Sequence, residues 1–289
     1  MSLSPMSNVT TTKSIDFTDE LVKLAFLEDQ PNGDLTTDVI HGSNGPKVGR
    51  VKVMAKEDLV LSGQIPFTKA MHFKDPSIKL DWSFKDGQVV LAQQIAVVIQ
   101  GNQIPILAAE RVALNFLGRL SGIATMTRTY VKQLEGSSVQ LLDTRKTTPG
   151  YRHLEKRAVL HGGGVNHRMN LSDAVLIKDN HIALAGGVQN ALKNAVNHYD
   201  GPIEIEVDNL DQLKQCLPFR VSRVLLDNMD NNTIKQAIDI IPKDWEVEVS
   251  GGITLERLAL LKELKINFIS VGAITHSAPT VDFSMEFDL

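Results

Sequence analysis

The feature that most constrains this chain is a regular alternation of short apolar runs with amphipathic stretches through its second half. Runs VQLLDT, AVLIKD, IEIEV, RVLLDN, EVEVSG and FISVG begin at 139, 174, 203, 223, 246 and 268, separated by helical stretches such as GVQNALKNAVNHY, NNTIKQAIDII and LERLALLKEL. Steps as short as about 20 residues are those of βα units, so a parallel α/β sheet is expected. Six strands fall short of the eight of a complete barrel, which leaves an incomplete barrel or an open doubly wound sheet. Strand side chains alternate between two faces. In IEIEV the residues Ile203, Ile205 and Val207 oppose Glu204 and Glu206; in EVEVS, Val247 and Val249 oppose Glu246, Glu248 and Ser250. An open sheet covered by helices on both sides is apolar on both faces, whereas a barrel can turn one face to a polar lumen. The barrel is the preferred reading.

The first half carries another pattern. Runs VGRVKVMA, DLVLSG, IKLDWSF and QIAVVIQ between Val48 and Gln100, with a helix near Pro66–Phe73 and a turn at Asp86-Gly87, read as a small β-rich α+β unit. From Pro105 to Glu135 the pattern becomes helical, with Leu107, Leu114 and Leu117 at near-helical spacing and a break expected at Ser121-Gly122; this segment is the hinge between the halves. Two packed units suit 289 residues, because single domains run to roughly 100–150. With 43% hydrophobic and 22% charged residues, the chain has the content of a folded globular protein. Its 30 basic and 34 acidic residues net to −4 without a block of like charge, so neither nucleic acid nor an anionic membrane is favoured as partner. The single cysteine, Cys216, rules out an intrachain disulfide and a cysteine metal cluster, and fits a reducing, cytoplasmic setting. No apolar run approaches the ~20 residues of a membrane span, and the polar first 14 residues are expected to form a flexible tail rather than a signal peptide.

A barrel places its chemistry at the carboxyl ends of its strands. Those ends read Asp143, Thr144, Arg145 and Lys146; Lys178 and Asp179; Glu206 and Asp208; Asp227 and Asn228; Ser250, Gly251 and Gly252; and Gly272. A solvated rim is often charged, so any one of these says little, but recurrence at nearly every strand end says more. Arg145 and Lys146, His167 and Arg168 in the following loop, and Lys178 form a cation set suited to several carboxylates or phosphates, since arginine offers a bidentate fork and lysine a compact charge. Glu206 and Asp227 suit Mg²⁺ held through water and a substrate phosphate, with a salt bridge to the site lysines as the competing reading. Gly162-Gly163-Gly164 reads as a flexible loop. Ser250-Gly251-Gly252 before LERLALL offers backbone N–H groups at a helix start and, with Gly272, matches the phosphate position of the last two βα loops of such barrels. GxGxxG, GxxxxGK[ST] and HExxH do not occur, which argues against a Rossmann site, a P-loop and a zincin. Of the eight histidines only His167 falls in the charged set.

The stretches AERVALNFLGRLSGIAT (109–125), DTRKTTPGYR (143–152), GGGVNHRMNLSDAVLIKDNH (162–181), IEIEVDNLDQ (203–212), LLDNM (225–229), VSGGIT (249–254) and SVGAITHSAP (270–279) closely resemble the quinolinate phosphoribosyltransferase family. GDLTTD (33–38) resembles its amino-terminal signature. The resemblance covers nearly the whole chain beyond the tail, in order, and its DTRKT and NHR…LIKDNH motifs are highly specific. It implies an α/β sandwich plus an incomplete α/β barrel, with the last residues returning to the first domain. The implied division is a tail over 1–14, a sandwich over 15–117 with 275–289, and a catalytic barrel over 118–274.

In function the resemblance implies transfer of phosphoribosyl from 5-phosphoribosyl-1-pyrophosphate to quinolinate with Mg²⁺ as cofactor. Pyrophosphate and CO₂ leave, and nicotinate mononucleotide enters NAD synthesis. Carried over by motif, Arg145, Lys146, His167, Arg168 and Lys178 hold the quinolinate carboxylates, with Lys146 and Lys178 also near the donor. Glu206 and Asp227 face the ribose hydroxyls and Mg²⁺, and Ser250, Gly251 and Gly272 face the 5′-phosphate. Thr144, Glu248 and Gly252 complete the expected substrate contacts, and Lys146, Lys178, Glu206 and Asp227 are the expected catalytic set. Arg111, in AERVALN, is expected to reach the neighbouring subunit's site in a homodimer. Two departures, Arg157 after Lys156 where an aromatic residue is usual and Val249 before Ser250 where a small one is common, fall outside this site.

Three other readings compete. A related phosphoribosyltransferase-like barrel with another substrate, such as the molybdenum-associated homologues, would not need the full cation set. A Schiff-base aldolase would use Lys178 as nucleophile, and borohydride trapping with carbonyl substrates would expose it. A non-catalytic ligand sensor leaves Glu206 and Asp227 without a role.

Overall fold

The computed structural model describes residues 16–42 and 45–288; the tail expected over 1–14 lies outside the described residues. Among the described residues two compact units emerge: 130–145 with 165–272, and 16–129 with 146–164 and 273–288. No helix among the described residues is long and apolar enough to cross a membrane.

In chain order, α1 (Thr18–Asp29) and α2 (Leu35–His41) lead to β1 (Val48–Ala55), β2 (Leu59–Val60), α3 (Gln64–Lys74), β3 (Lys79–Trp82), β4 (Val89–Val90), β5 (Ile95–Asn102) and α4 (Gln103–Gln133). The β-rich half expected from the sequence is a four-stranded antiparallel sheet. Its order is β12–β1–β5–β3, where β12 (Phe283–Phe287) is the returning carboxyl-terminal strand, paired from Val51↔Phe287 to Ala55↔Phe283. Alternation makes the core: Val51, Val53, Val97 and Ile99 are fully buried. On α1 and α3, Phe26 and Phe73 stack at 4.8 Å.

The break expected at Ser121-Gly122 does not occur; α4 is continuous. Its glycines serve close packing. A Cβ on Gly122 would stand 1.9 Å from Pro279 O and one on Gly118 2.7 Å from Val281 O, while Ser121 Oγ bonds the Ser62 backbone. Leu114 and Leu117 are buried as their spacing implies, but Leu107 is exposed. Gly162–Gly164, expected as a flexible loop, instead ends α5 (Arg152–Gly162). Gly163 takes the left-handed cap at φ +92°, and a Cβ on Gly162 would stand 2.4 Å from Thr127 Cβ.

The other unit holds β6 (Gln140–Leu142), β7 (Val175–Ile177), β8 (Ile203–Val207), β9 (Arg223–Asp227), β10 (Glu246–Ser250) and β11 (Phe268–Ser270), all parallel. The sheet order is β6–β11–β10–β9–β8–β7. Neighbours are consecutive in sequence except that the last strand meets the first. That circular order belongs to a barrel, because a doubly wound sheet reverses direction from its middle. Among the described residues no ladder joins β6 to β7; β6 instead makes one bridge, Leu142↔Val165. The barrel is incomplete, as the six runs implied. Helices α6 (Asp179–Ala185), α7 (Val188–His198), α8 (Leu210–Cys216), α9 (Asn231–Ile240) and α10 (Leu255–Leu261) follow the strands, and α7 to α10 bury stripes such as Leu192, Leu213, Ile234 and Leu258. Cys216 is one of these packing residues, and burial pushes its thiol up to about 12.

Candidate active site

The strands deliver their polar ends to one rim. Lys178 follows β7, and its Nζ forms an ion pair with Oε2 of Glu206 on β8. The salt bridge weighed against a metal role for Glu206 therefore exists. Extended backbone at Lys178 starts α6, and its N–H donates to His181 Nδ1 at 2.9 Å. Asp227 closes β9 and accepts from Asn228 Nδ2 at 2.7 Å. Asn228 has φ +54°, which lets its N–H donate to Ser250 O at 3.1 Å.

Glycine is required next to it. Gly251 has φ +85°, and a Cβ there would stand 2.1 Å from Asn228 Oδ1. Arg257, in the first turn of α10, donates to the carbonyls of Gly251 and Met229 and so fixes the glycine loop by its backbone. Beside this loop opens a cavity of about 590 Å³ lined by Asn228, Met229, Asp230, Asn231, Asn232, Thr233 and Arg257. Thr144, Ser250 and Gly272 are half-buried at the ends of β6, β10 and β11, and Gly252 is exposed.

Arg145 acts on Arg168 through its charge. Burial first, and then the charge of Arg145, lowers the pKa of Arg168 from the ordinary guanidinium value. Arg168 also donates from Nη1 to Ala174 O at 3.0 Å. Two guanidiniums close enough to repel mark a place where an anion is stabilised.

Below the rim lies a buried acidic lumen. Asp143, fully buried, accepts from the His167 N–H at 2.9 Å and from Asn166 Nδ2 at 2.6 Å, which pins the loop before Arg168. His167 Nε2 stands 3.3 Å from Glu204 Oε2 and 3.6 Å from Glu248 Oε2. Arg223, at the start of β9, reaches Glu248 at 3.2 Å and Glu246 at 2.7 Å, with its guanidinium 4.0 Å from the Phe268 ring centroid. Burial works against a charged His167, but the Glu204 hydrogen bond and the Glu248 charge outweigh it and raise the ring's pKa. Burial, joined by the Glu204 charge, pushes Glu248 up to about 7.

The remaining expected residues lie elsewhere. Lys146, although next to Arg145 in the chain, belongs to the other compact unit and is exposed; its carbonyl accepts from Thr275 Oγ1 at 2.8 Å. Arg111 is also in that unit, on an exposed stripe of α4 with Leu107 and Asn115. Glu248, expected to touch substrate, is fully buried against His167 and Arg223. Sequence reading gave no role to Glu204, Arg223 or Arg257. Glu204 was within reach, since it shares a strand face with Glu206. Arg223 acts on residues more than 20 positions away, and Arg257 acts on Met229, 28 positions away, as well as on Gly251, through backbone carbonyls that leave no mark in the sequence.

Two groups offer cation ligands. Glu206 and Asp227, on paired strands, present oxygens only, a set that fits a hard divalent ion retaining water. His167, Glu204 and Glu248 bring ligand atoms within 4.8 Å of one another. There, however, the Arg168 N–H donates to His167 Nδ1 at 2.7 Å. A neutral ring then carries its proton on Nε2, facing the acids, where a metal would need a lone pair.

A barrel whose strand-end rim combines guanidiniums, an ammonium, carboxylates and a glycine loop defines an α/β-barrel enzyme for polyanionic substrates. Residues 34–121 and 123–286 match the family models of the quinolinate phosphoribosyl transferase N-terminal and C-terminal domains. The chain is 37% identical over 273 residues to the probable nicotinate-nucleotide pyrophosphorylase (carboxylating) of Bacillus subtilis, covering 93% of each. It is 38% identical to the chloroplastic nicotinate-nucleotide pyrophosphorylase (carboxylating) of Arabidopsis thaliana, covering 93% of this chain and 82% of that one. Among solved structures, nicotinate-nucleotide pyrophosphorylase from Ehrlichia chaffeensis superposes with a TM-score of 0.89 at 35% identity, covering 95% of this chain and 100% of that one. NadC from Streptococcus pyogenes gives 0.87 at 39% identity, covering 93% and 96%. The chain belongs to the quinolinate phosphoribosyltransferase family.

Proposed function

We propose that this chain joins quinolinate to the phosphoribosyl group of 5-phosphoribosyl-1-pyrophosphate, releasing pyrophosphate and CO₂ and giving nicotinate mononucleotide for NAD synthesis. The observation that carries the substrate reading is the set of cations at the strand ends, Arg145 after β6 and Lys178 after β7, with Arg168 in the loop between them under the charge of Arg145. Such a set is stabilised by a ligand with more than one carboxylate. A nucleophilic role for Lys178 finds less support, because its ammonium is engaged by Glu206.

In this reading Arg145, Arg168, Lys178 and Lys146 bind and orient the dicarboxylate; His167, expected among them, has both ring nitrogens engaged, by the lumen acids and by the Arg168 N–H, and does not itself reach it. When a substrate carboxylate draws Lys178 away, Glu206 is released towards the ribose. The pyridine nitrogen then attacks the anomeric carbon as the pyrophosphate bond breaks, and the carboxylates of Glu206 and Asp227 stabilise the positive charge developing there. Ser250, Gly251, Gly252 and Gly272 receive the 5′-phosphate. Glu206 and Asp227 would also hold Mg²⁺, which would supply charge neutralisation for the leaving pyrophosphate. The electron pair of the breaking C–CO₂ bond stays on the ring carbon, where the adjacent, now cationic nitrogen stabilises it as an ylide, and a proton then takes the place of the carboxylate.

Arg111 completes the charge of a neighbouring subunit's site in a homodimer, for which its exposed stripe on α4 is suited. A reducing, cytoplasmic location suits the lone cysteine.

The test is to mix protein, quinolinate, 5-phosphoribosyl-1-pyrophosphate and Mg²⁺ and follow nicotinate mononucleotide and CO₂. Both appear in equal amount and stop on chelation; absence of product, or full activity after exhaustive chelation, contradicts the reading. The shared site is tested by mixing inactive Arg111→Ala and Lys178→Ala chains under verified subunit exchange. Mixed dimers carry one intact site and regain activity; without regain, Arg111 acts within its own chain.

A further inference from the structure

The acidic lumen lies below the rim, and no step above uses it. Glu204 and Glu248 are nearly or fully enclosed, at 8% and 0% exposure. Burying carboxylates is costly unless each finds a partner. Arg223 supplies one, bonded to Glu248 and Glu246. The other is His167 Nε2, directed between Glu204 and Glu248. On its far side, His167 Nδ1 accepts the backbone N–H of Arg168. One imidazole thus connects the lumen acids to the peptide that carries a rim guanidinium. The loop has a second tether in Asp143, which holds the His167 N–H.

We infer that Glu204 and Glu248 are positioning residues for substrate recognition: by holding His167 Nε2–H inward they fix the ring's orientation, and the ring in turn fixes the Arg168 backbone. Neither acid touches substrate. Their effect reaches it through His167 and Arg168, so it falls on the dicarboxylate rather than on the phosphoribosyl donor. The inference rests on the reading of this rim as the quinolinate site.

Two measurements test it. The first needs no substrate and no substitution: nitrogen NMR of the imidazole in the wild-type protein, recorded above the ring's titration. The account requires the neutral ring to carry its proton on Nε2; a proton on Nδ1 overturns it. The second compares Glu204→Leu, which removes the acceptor, with Glu204→Gln, which keeps one. Glu204→Leu raises KM for quinolinate by about tenfold or more while KM for 5-phosphoribosyl-1-pyrophosphate stays within about twofold, and Glu204→Gln recovers most of the loss. Equal shifts for both substrates, or an unchanged quinolinate KM in folded Glu204→Leu, overturn the inference. If Glu204→Leu does not fold, the wild-type spectrum and Glu204→Gln decide. Failure of the underlying reading is distinguishable, because the wild-type protein would then not turn over quinolinate while the ring's proton position remained measurable.

Discussion

Strands β1 and β10 show the same sequence alternation and solve it differently. In β1, Val51, Val53 and Ala55 are buried, and Lys52 and Met54 between them stay partly exposed. In β10, Val247, Glu248 and Val249 are all buried, and in β8 so are Ile203, Glu204 and Ile205. The antiparallel sheet leaves its polar face partly wet, where such residues cost little. The curved parallel sheet encloses both faces, so its acids require cations in the protein. His167 and Arg223 meet that need within the lumen. At the rim above, Arg145, Arg168 and Lys178 bring several cations to the strand ends and the loop between them, a set suited to an anion from outside.

The contrast breaks most directly at Arg223. Arg223→Leu strands the acids it serves and is expected to cost about 3–5 kcal/mol of stability, against about 1.5–3 for the apolar truncation Val53→Ala in the other sheet. Urea unfolding compares the two; equal costs would mean that the lumen acids are not truly enclosed.

At the rim the cost moves from stability to turnover. Arg145→Ala and Lys178→Ala each lose about 2–5 kcal/mol of transition-state stabilisation in kcat/KM with the fold retained, since little core packing is removed. Loss of the melting transition together with activity would make these residues structural.

The last effect is electrostatic and is seen only as a pH dependence. Glu248 is raised from 4.5 to about 7. A carboxyl raised on folding contributes its stability in full below its unfolded pKa and loses it as the pH rises to about 7; His167, also raised, acts in the same direction above its own unfolded value. The stability of wild type relative to Glu248→Gln therefore falls between about pH 4.5 and 7, and beyond that only by what His167 loses without the Glu248 charge. A pH-independent difference in urea midpoints would show that Glu248 titrates normally, and Val53→Ala serves as the pH-insensitive control.

Much of this was readable from local pattern. The six βα strands and the rim residues Lys178, Glu206 and Asp227 follow from alternation and from what stands at each strand end; the returning carboxyl end was implied only by the family resemblance. What could not be read depends on partners distant in the chain. Gly122 looks like a helix break until Pro279 is seen against it. The three glycines after α5 look mobile until Gly163 is found capping the helix and Thr127 is found against Gly162. Glu204 looks like half of a polar alternation until His167 is found facing it. Composition and periodicity specify faces; they do not specify which charge on one strand meets which on another.

The central claim is that the rim recognises two carboxylates on a pyridine ring. It is tested most directly by the kcat/KM of the wild-type protein for quinolinate against nicotinate, which lacks the carboxylate beside the nitrogen. With unpaired cations left by the smaller acid, nicotinate is expected to be poorer by about a hundredfold or more, and each nicotinate mononucleotide formed from quinolinate should be matched by one CO₂. Comparable or better use of nicotinate, without CO₂ release, would contradict the account.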